Sequence, residues 1–218
     1  MKKAIGFLAL VMFLFAGAQC FAQISFGVKA GLNFANRTSK DNDKSYSDNY
    51  KMKTGFHLGV VAEYSITENI AIQPGLLFSV KGFKEDQSSI SYKINENYLE
   101  IPINAVYNME LGGVKVLIHA GPFLGYAISG KVRADKAVLG DNGDQKSEKL
   151  EIGNDSQKDF LKPIDFGLNI GAGAEINGIA VSLQYGLGIA NIAPNTSNGY
   201  TSRNNVIGLS VSYKLGGL

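Results

Sequence analysis

The chain has 218 residues, 18% of them charged, with 26 glycines, one cysteine and no tryptophan, a composition that suits one domain rather than two. Its formal net charge of +2 is too balanced for an electrostatic nucleic-acid surface. Beyond the first 22 residues no apolar run reaches 18, which excludes membrane-spanning helices.

Residues 1–22 read as an export signal. Lys2 and Lys3 precede an apolar core at positions 4–16 that is too short to span a membrane, and Cys20-Phe21-Ala22 places small residues at a cleavage site before Gln23. Gln19 stands where a lipobox needs a small residue, which argues against lipidation of Cys20. The remaining domain, 23–218, then has no cysteine for disulfides, and its 19 basic residues (21 less the two leader lysines) equal its 19 acidic ones.

From position 24 onward apolar residues recur at every second position, the period of a strand with one apolar face. The first run carries Ile24, Phe26, Val28, Ala30, Leu32 and Phe34, with Ser25, Gly27, Lys29, Gly31, Asn33 and Ala35 opposite. Polar, aperiodic residues 36–52 are expected to form a loop. A second strand alternates from Phe56 to Tyr64, residues 66–69 turn the chain, and a third runs from Ile70 to Val80. Pro74 in it removes a ladder donor and predicts a bulge.

After a second loop at 84–89, a fourth strand runs through Leu99, Ile101, Ile103, Ala105 and Tyr107. Leu111-Gly112-Gly113 forms a tight turn into a fifth strand over 114–128, and residues 131–162 form the longest irregular stretch.

The clearest pattern is at 164–189, where two alternating runs meet at Asn177-Gly178, a dipeptide suited to a type I′ hairpin turn. A fourth loop at 191–204 leads to a closing strand with Ile207, Leu209, Val211, Tyr213 and Leu215. Eight strands result, with long and short connections alternating. That is the asymmetry of an all-β, up-and-down transmembrane barrel in a bacterial outer membrane, with short periplasmic turns and longer external loops.

Alternation alone fits a soluble lipocalin-like carrier equally well, since it does not say which face is inside. The second face decides, because it is built mainly of Gly, Ala, Ser, Asn and Gln rather than the Lys and Glu of a soluble exterior. Its charges balance: Lys29, Lys81, Lys115 and Lys214 against Glu63, Glu100, Asp165 and Glu175. Together with His119 they are expected to form a structural polar network in the lumen, where an unpaired ion is costly. Tyr98, Phe123 and Leu77 should help to fill it. Tyr64, Tyr107, Tyr126, Tyr185 and Tyr213 lie on the apolar face and match aromatic girdles.

No motif points to catalysis, a cofactor or a metal. His57 and His119 share the inner face without ligand spacing, and both read as structural hydrogen-bonding groups. The series Asp41, Asp43, Ser45 has Tyr46 and Met52 where a calcium loop needs Gly and Glu. The Gly-rich runs at 167–173 and 186–188 lead into no helix and are not phosphate loops. A non-enzymatic barrel is the expectation, with a binding or transport barrel, soluble carrier or narrow channel, as the alternative.

The segment from Asn97 to Tyr107 (NYLEIPINAVY), the later Ala120-Gly121-Pro122-Phe123-Leu124-Gly125 and the leader's end at Ala22-Gln23 resemble the PorT-like outer-membrane β-barrel family of Bacteroidetes. The resemblance covers the mature chain and rests on structural rather than catalytic motifs. It implies a small eight-stranded barrel, contact with outer-membrane lipid and the barrel-assembly machinery, and a secretion-associated role. The chain departs from the usual assembly signal in ending Leu-Gly-Gly-Leu, which leaves Tyr213 as the nearest aromatic. A protein partner is expected at the external loops, chiefly 131–162.

Overall fold

The structure, a computed structural model, describes residues 24–87, 90–134 and 147–217; the expected signal and the middle of the 131–162 connection lie outside these. Ten strands follow in order: β1 (Ile24–Lys40), β2 (Tyr50–Lys51), β3 (Lys53–Ser65), β4 (Ile70–Gln87), β5 (Ile90–Leu111), β6 (Val114–Ala134), β7 (Ser147–Lys149), β8 (Ile164–Ile176), β9 (Ile179–Gly188) and β10 (Thr201–Gly217). Eight of them form a closed ring, each paired antiparallel with its neighbours. β1 joins β10 to close it, and the short β2 and β7 attach to β4 and β6. Closure leaves no sheet edge with unpaired backbone groups.

The short turns gather at one rim and the long connections at the other. Asn177 (φ 51°) and Gly178 (φ 79°) make the expected β8–β9 hairpin, in which Ile176 pairs with Ile179. Gly112 and Gly113 do the same between β5 and β6, because both central residues of a type I′ turn need positive φ. At 66–69 the amides of Ile66 and Thr67 donate to the Ile70 carbonyl.

Two expectations about the backbone are corrected. No bulge forms at Pro74: the β3–β4 ladder skips the residues opposite it and resumes at Tyr64–Ile72 in unchanged register, since a missing donor can be left out without inserting a residue. Register shifts fall instead at Phe26/Gly27 and Asn97/Tyr98. The expected loops at 36–52, 84–89, 131–162 and 191–204 also begin or end as strand. β1 reaches Lys40, β4 and β5 run to Gln87 and from Ile90, β6 reaches Ala134, and β10 starts at Thr201. At 22 residues, β5 is twice the roughly 9–11 needed to cross a bilayer, so the wall stands above the apolar band at the loop rim.

The faces sort as the alternation predicts. Leu168, Ile170, Leu183, Leu58 and Val211 are among many large apolar residues half or more exposed on the outer wall, an apolar surface no soluble monomer maintains. The five outward tyrosines ring it, with Tyr64, Tyr107 and Tyr213 toward the turn rim and Tyr126 and Tyr185 toward the loop rim. Inside, large residues face glycines on the paired strand. A Cβ on Gly31 would stand 2.6 Å from the His57 ring, one on Gly171 2.6 Å from that of His119, and one on Gly167 2.7 Å from Phe123. An eight-stranded bore has room for side chains only where its wall is that thin.

Candidate functional site: the lumen and the loop rim

The upper lumen holds one connected polar cluster. Lys81 on β4 contacts Glu100 on β5 and lies 3.2 Å from Asp165 Oδ2 on β8. Its ammonium also sits 4.6 Å from the Phe123 ring centroid and 4.9 Å from that of Tyr98, where the ring faces add to its binding. Asn204 on β10 donates to Asp165 Oδ2 (3.1 Å) and accepts from Arg37 Nη2 on β1 (3.2 Å). Arg37 is paired with Glu96 on β5 and stacks 4.7 Å from Phe83. Glu96, Asp165 and Tyr98 have no exposed surface.

A second cluster lies near the turn rim. Lys214 Nζ is 2.8 Å from Glu63 and 2.9 Å from Glu175, and Gln73 donates to Glu63 (3.1 Å). Lys115 approaches Glu175 at 3.7 Å but is partly exposed, so it adds little.

Between the clusters the lumen is polar without ion pairs. Asn33 turns its amide nitrogen to Ser79 Oγ and the carbonyls of Phe56 and Val80, which leaves its oxygen to accept from His57 Nδ1 at 2.8 Å. His57 Nε2 meets Ser210 Oγ at 2.9 Å, and His119 Nε2 meets Gln184 Oε1 at 3.2 Å. Lys29, expected to pair with an acid, lies here, 7% exposed, and among the described residues no carboxylate comes within salt-bridge distance. The reason is height: the acids sit above and below it. It lines a cavity of about 40 Å³ with Asn33, His57, Asn169 and Gln184, enough for little more than one water molecule.

The nine residues singled out in the sequence thus fall into two ion clusters and an intermediate layer holding Lys29 and His119. The Arg37–Glu96 pair was missed, because 36–52 read as loop and the fourth strand as running only from about Leu99 to Tyr107. The signal was there: Arg37 and Ser39 continue the inward positions of Asn33 and Ala35, and Glu96 those of Tyr98 and Glu100.

Over the loop rim, residues of the third and fourth connections close down on the barrel. Leu161 and Ile192, both without exposed surface, pack with Ala190 against Tyr98 and Ala127, and Ile152 joins them. The Lys162 amide donates to the Ile192 carbonyl (2.8 Å) and that of Ile192 to Ser202 (2.9 Å). Beside this cap opens a cavity of about 480 Å³, lined by Tyr50, Phe83, Phe160 and Tyr200 and by Arg37, Asp41, Glu85 and Asp159. The Tyr50 and Phe83 rings lie 4.5 Å apart. Burial, first of all, pushes the Tyr50 hydroxyl up to about 12, so it stays a neutral donor. The Tyr46 hydroxyl, 2.7 Å from Asp41, and the amides of Lys44 and Asp43 hold the Asp41 carboxyl below its ordinary range. Among the described residues no three His, Cys, Asp or Glu side chains converge as a metal site requires.

Residues 18–193 match the family model described as "Outer membrane protein beta-barrel domain". Among solved structures, a major outer membrane protein of Thermus thermophilus is similar over 88% of this chain and 99% of its own, at 14% identity and a TM-score of 0.50. Neisserial surface protein A matches over 87% and 97% at 16% identity (TM-score 0.42), and the Yersinia pestis attachment invasion locus protein Ail over 88% and 99% at 15% (TM-score 0.38). At these identities the likeness speaks for the fold alone. No curated protein matches the sequence significantly.

Proposed function

Because this chain belongs to the outer membrane protein beta-barrel domain family and so resides in the outer membrane, we propose that it is a closed, non-enzymatic barrel acting through its loop rim. One contrast carries this reading. The lumen is crossed by buried ion pairs and its cavity beside Lys29 measures about 40 Å³, whereas the 480 Å³ cavity opens at the rim. The mature chain starts at Gln23, both its ends are periplasmic, and the four long connections are external, with 131–162 the main contact for a protein partner. The lumen network has a structural role. The segments at 97–107 and 120–125 support a PorT-like, secretion-associated member that contacts the assembly machinery during insertion.

A second reading, small-molecule binding, is favoured by the rim cavity itself, whose volume and four aromatic side chains fall in the range of ligand pockets. Epitope tags test the orientation on which both readings depend. A tag at Gly143 should be accessible on intact cells and one at Asn177 hidden; the reverse result would overturn the assignment. Crosslinking from the third connection should then capture a discrete partner, and its absence together with saturable ligand binding at Tyr50 and Tyr200 would favour the second reading.

A further inference from the structure

Three cations stand in register on the outer wall. The backbone pairs Lys84 with Lys93 and Lys93 with Arg133, a row across β4, β5 and β6 about 10 Å wide at normal strand spacing. One row nearer the apolar band, Lys131 pairs with Lys149 on β7. Phe83 and Ile94, next in sequence to Lys84 and Lys93, are buried on the inner side, so Lys84 and Lys93 face outward. The row of three itself contains no acid.

Like charges directly opposite one another in a sheet are destabilising, and here two such pairs are consecutive. A solvated face needs no such alignment, because a polar neutral residue at any of these positions would serve as well. The position supplies a reason. Ile128, half exposed, is the last outward apolar residue of β6. Lys131 and Arg133 follow it by three and five residues, roughly 7 and 12 Å higher for a strand tilted near 45°. Lys and Arg side chains reach several ångströms further down toward the bilayer. This is the height of lipid headgroups, on the lipid-facing wall.

We propose that this row is a binding site for the phosphate groups of anionic, phosphorylated lipid headgroups, which neutralise it and hold lipid against the β4–β6 side of the barrel. The leaflet follows from the proposed orientation, with the loop rim outward, while the site does not depend on it.

The test uses the full chain folded into phosphatidylcholine vesicles, with and without diphosphoryl lipid A in both leaflets, so that orientation has no influence. Stability is read as the urea midpoint of the gel shift between folded and heat-unfolded forms. Lipid A should raise the wild-type midpoint, and the rise should be lost in the K84Q/K93Q/R133Q variant. In phosphatidylcholine alone that variant should unfold at the same or a higher urea concentration, because the repulsion is gone. A K84R/K93R variant should keep the response, and a single K93Q, which retains the fold if the triple does not, should show a reduced one. A triple variant that responds like the wild type, or one destabilised equally in both lipids, overturns the proposal. Wild type that ignores lipid A but binds soluble heparin in phosphatidylcholine vesicles overturns it too, in favour of a free polyanion.

Discussion

Arg37 and Glu96 lie 59 positions apart on strands that are not neighbours in the ring, yet their side chains meet inside it with almost no solvent contact. The pair therefore spans the lumen rather than bracing two adjacent strands. Removing one partner should leave a buried, unmatched charge, so Glu96→Ala is expected to cost about 3–5 kcal/mol in urea unfolding from lipid vesicles. The double change Arg37→Met with Glu96→Leu should cost far less. A double variant as unstable as the sum of the two singles would show that the two groups are not coupled.

Lys29 presents the opposite case. It is buried beside a polar cavity with no carboxylate in reach among the described residues, so its charge is desolvated without compensation. Lys29→Met keeps the volume and removes the ion, and should raise stability by about 1 kcal/mol or more. Destabilisation in the same unfolding assay would mean that the cation is held by something other than the barrel wall.

The crossing ion pairs and the cap of Leu161 and Ile192 over Tyr98 predict a barrel that does not conduct. Planar-bilayer recordings of purified wild-type monomer should show no stable, large conductance. If wild type gives such channels, the lumen opens in a membrane and the role proposed for the loop rim loses its basis.

Leu168 is half exposed in the apolar band of β8, opposite Leu187 and Pro122. Arginine there must enter lipid or distort the wall, and Leu168→Arg should impair folding by about 2–4 kcal/mol. The same substitution at Arg203's neighbour Ser202, at the loop rim and facing inward, tests crowding rather than lipid. Equal unfolding midpoints for Leu168→Arg and wild type would place Leu168 outside the bilayer.

The third connection divides into parts with different expected tolerance. Shortening within 136–146 is expected to leave the barrel intact, whereas Leu161→Ala removes a fully buried side chain from the cap and should cost the cap about 2–5 kcal/mol. Limited proteolysis separates the cases: Leu161→Ala should expose cleavage sites between 150 and 163 while the barrel band persists. A cap as resistant as in wild type would show that Leu161 does not secure it.

Much of the architecture was readable from period-2 spacing alone. Within one strand, alternation assigns each side chain to a face, and Asn177-Gly178 and Gly112-Gly113 permit few turns other than the ones they form. The barrel class, the outer apolar band, the inward histidines and the inward face of Lys81, Glu100 and Asp165 followed from that local rule, whereas the short strands β2 and β7 did not. Where strands end did not, because above the bilayer the outward face turns polar and the alternation of hydrophobicity fades while backbone pairing continues; Arg37 and Glu96 were hidden there. Nor could a face assignment say who meets whom across the bore. That depends on strand stagger around the closed ring, which sets the height of each residue. Stagger brings Lys81 level with Asp165 and Lys214 level with Glu63 and Glu175, and it leaves Lys29, on the same face and of the same charge, in a layer without an acid.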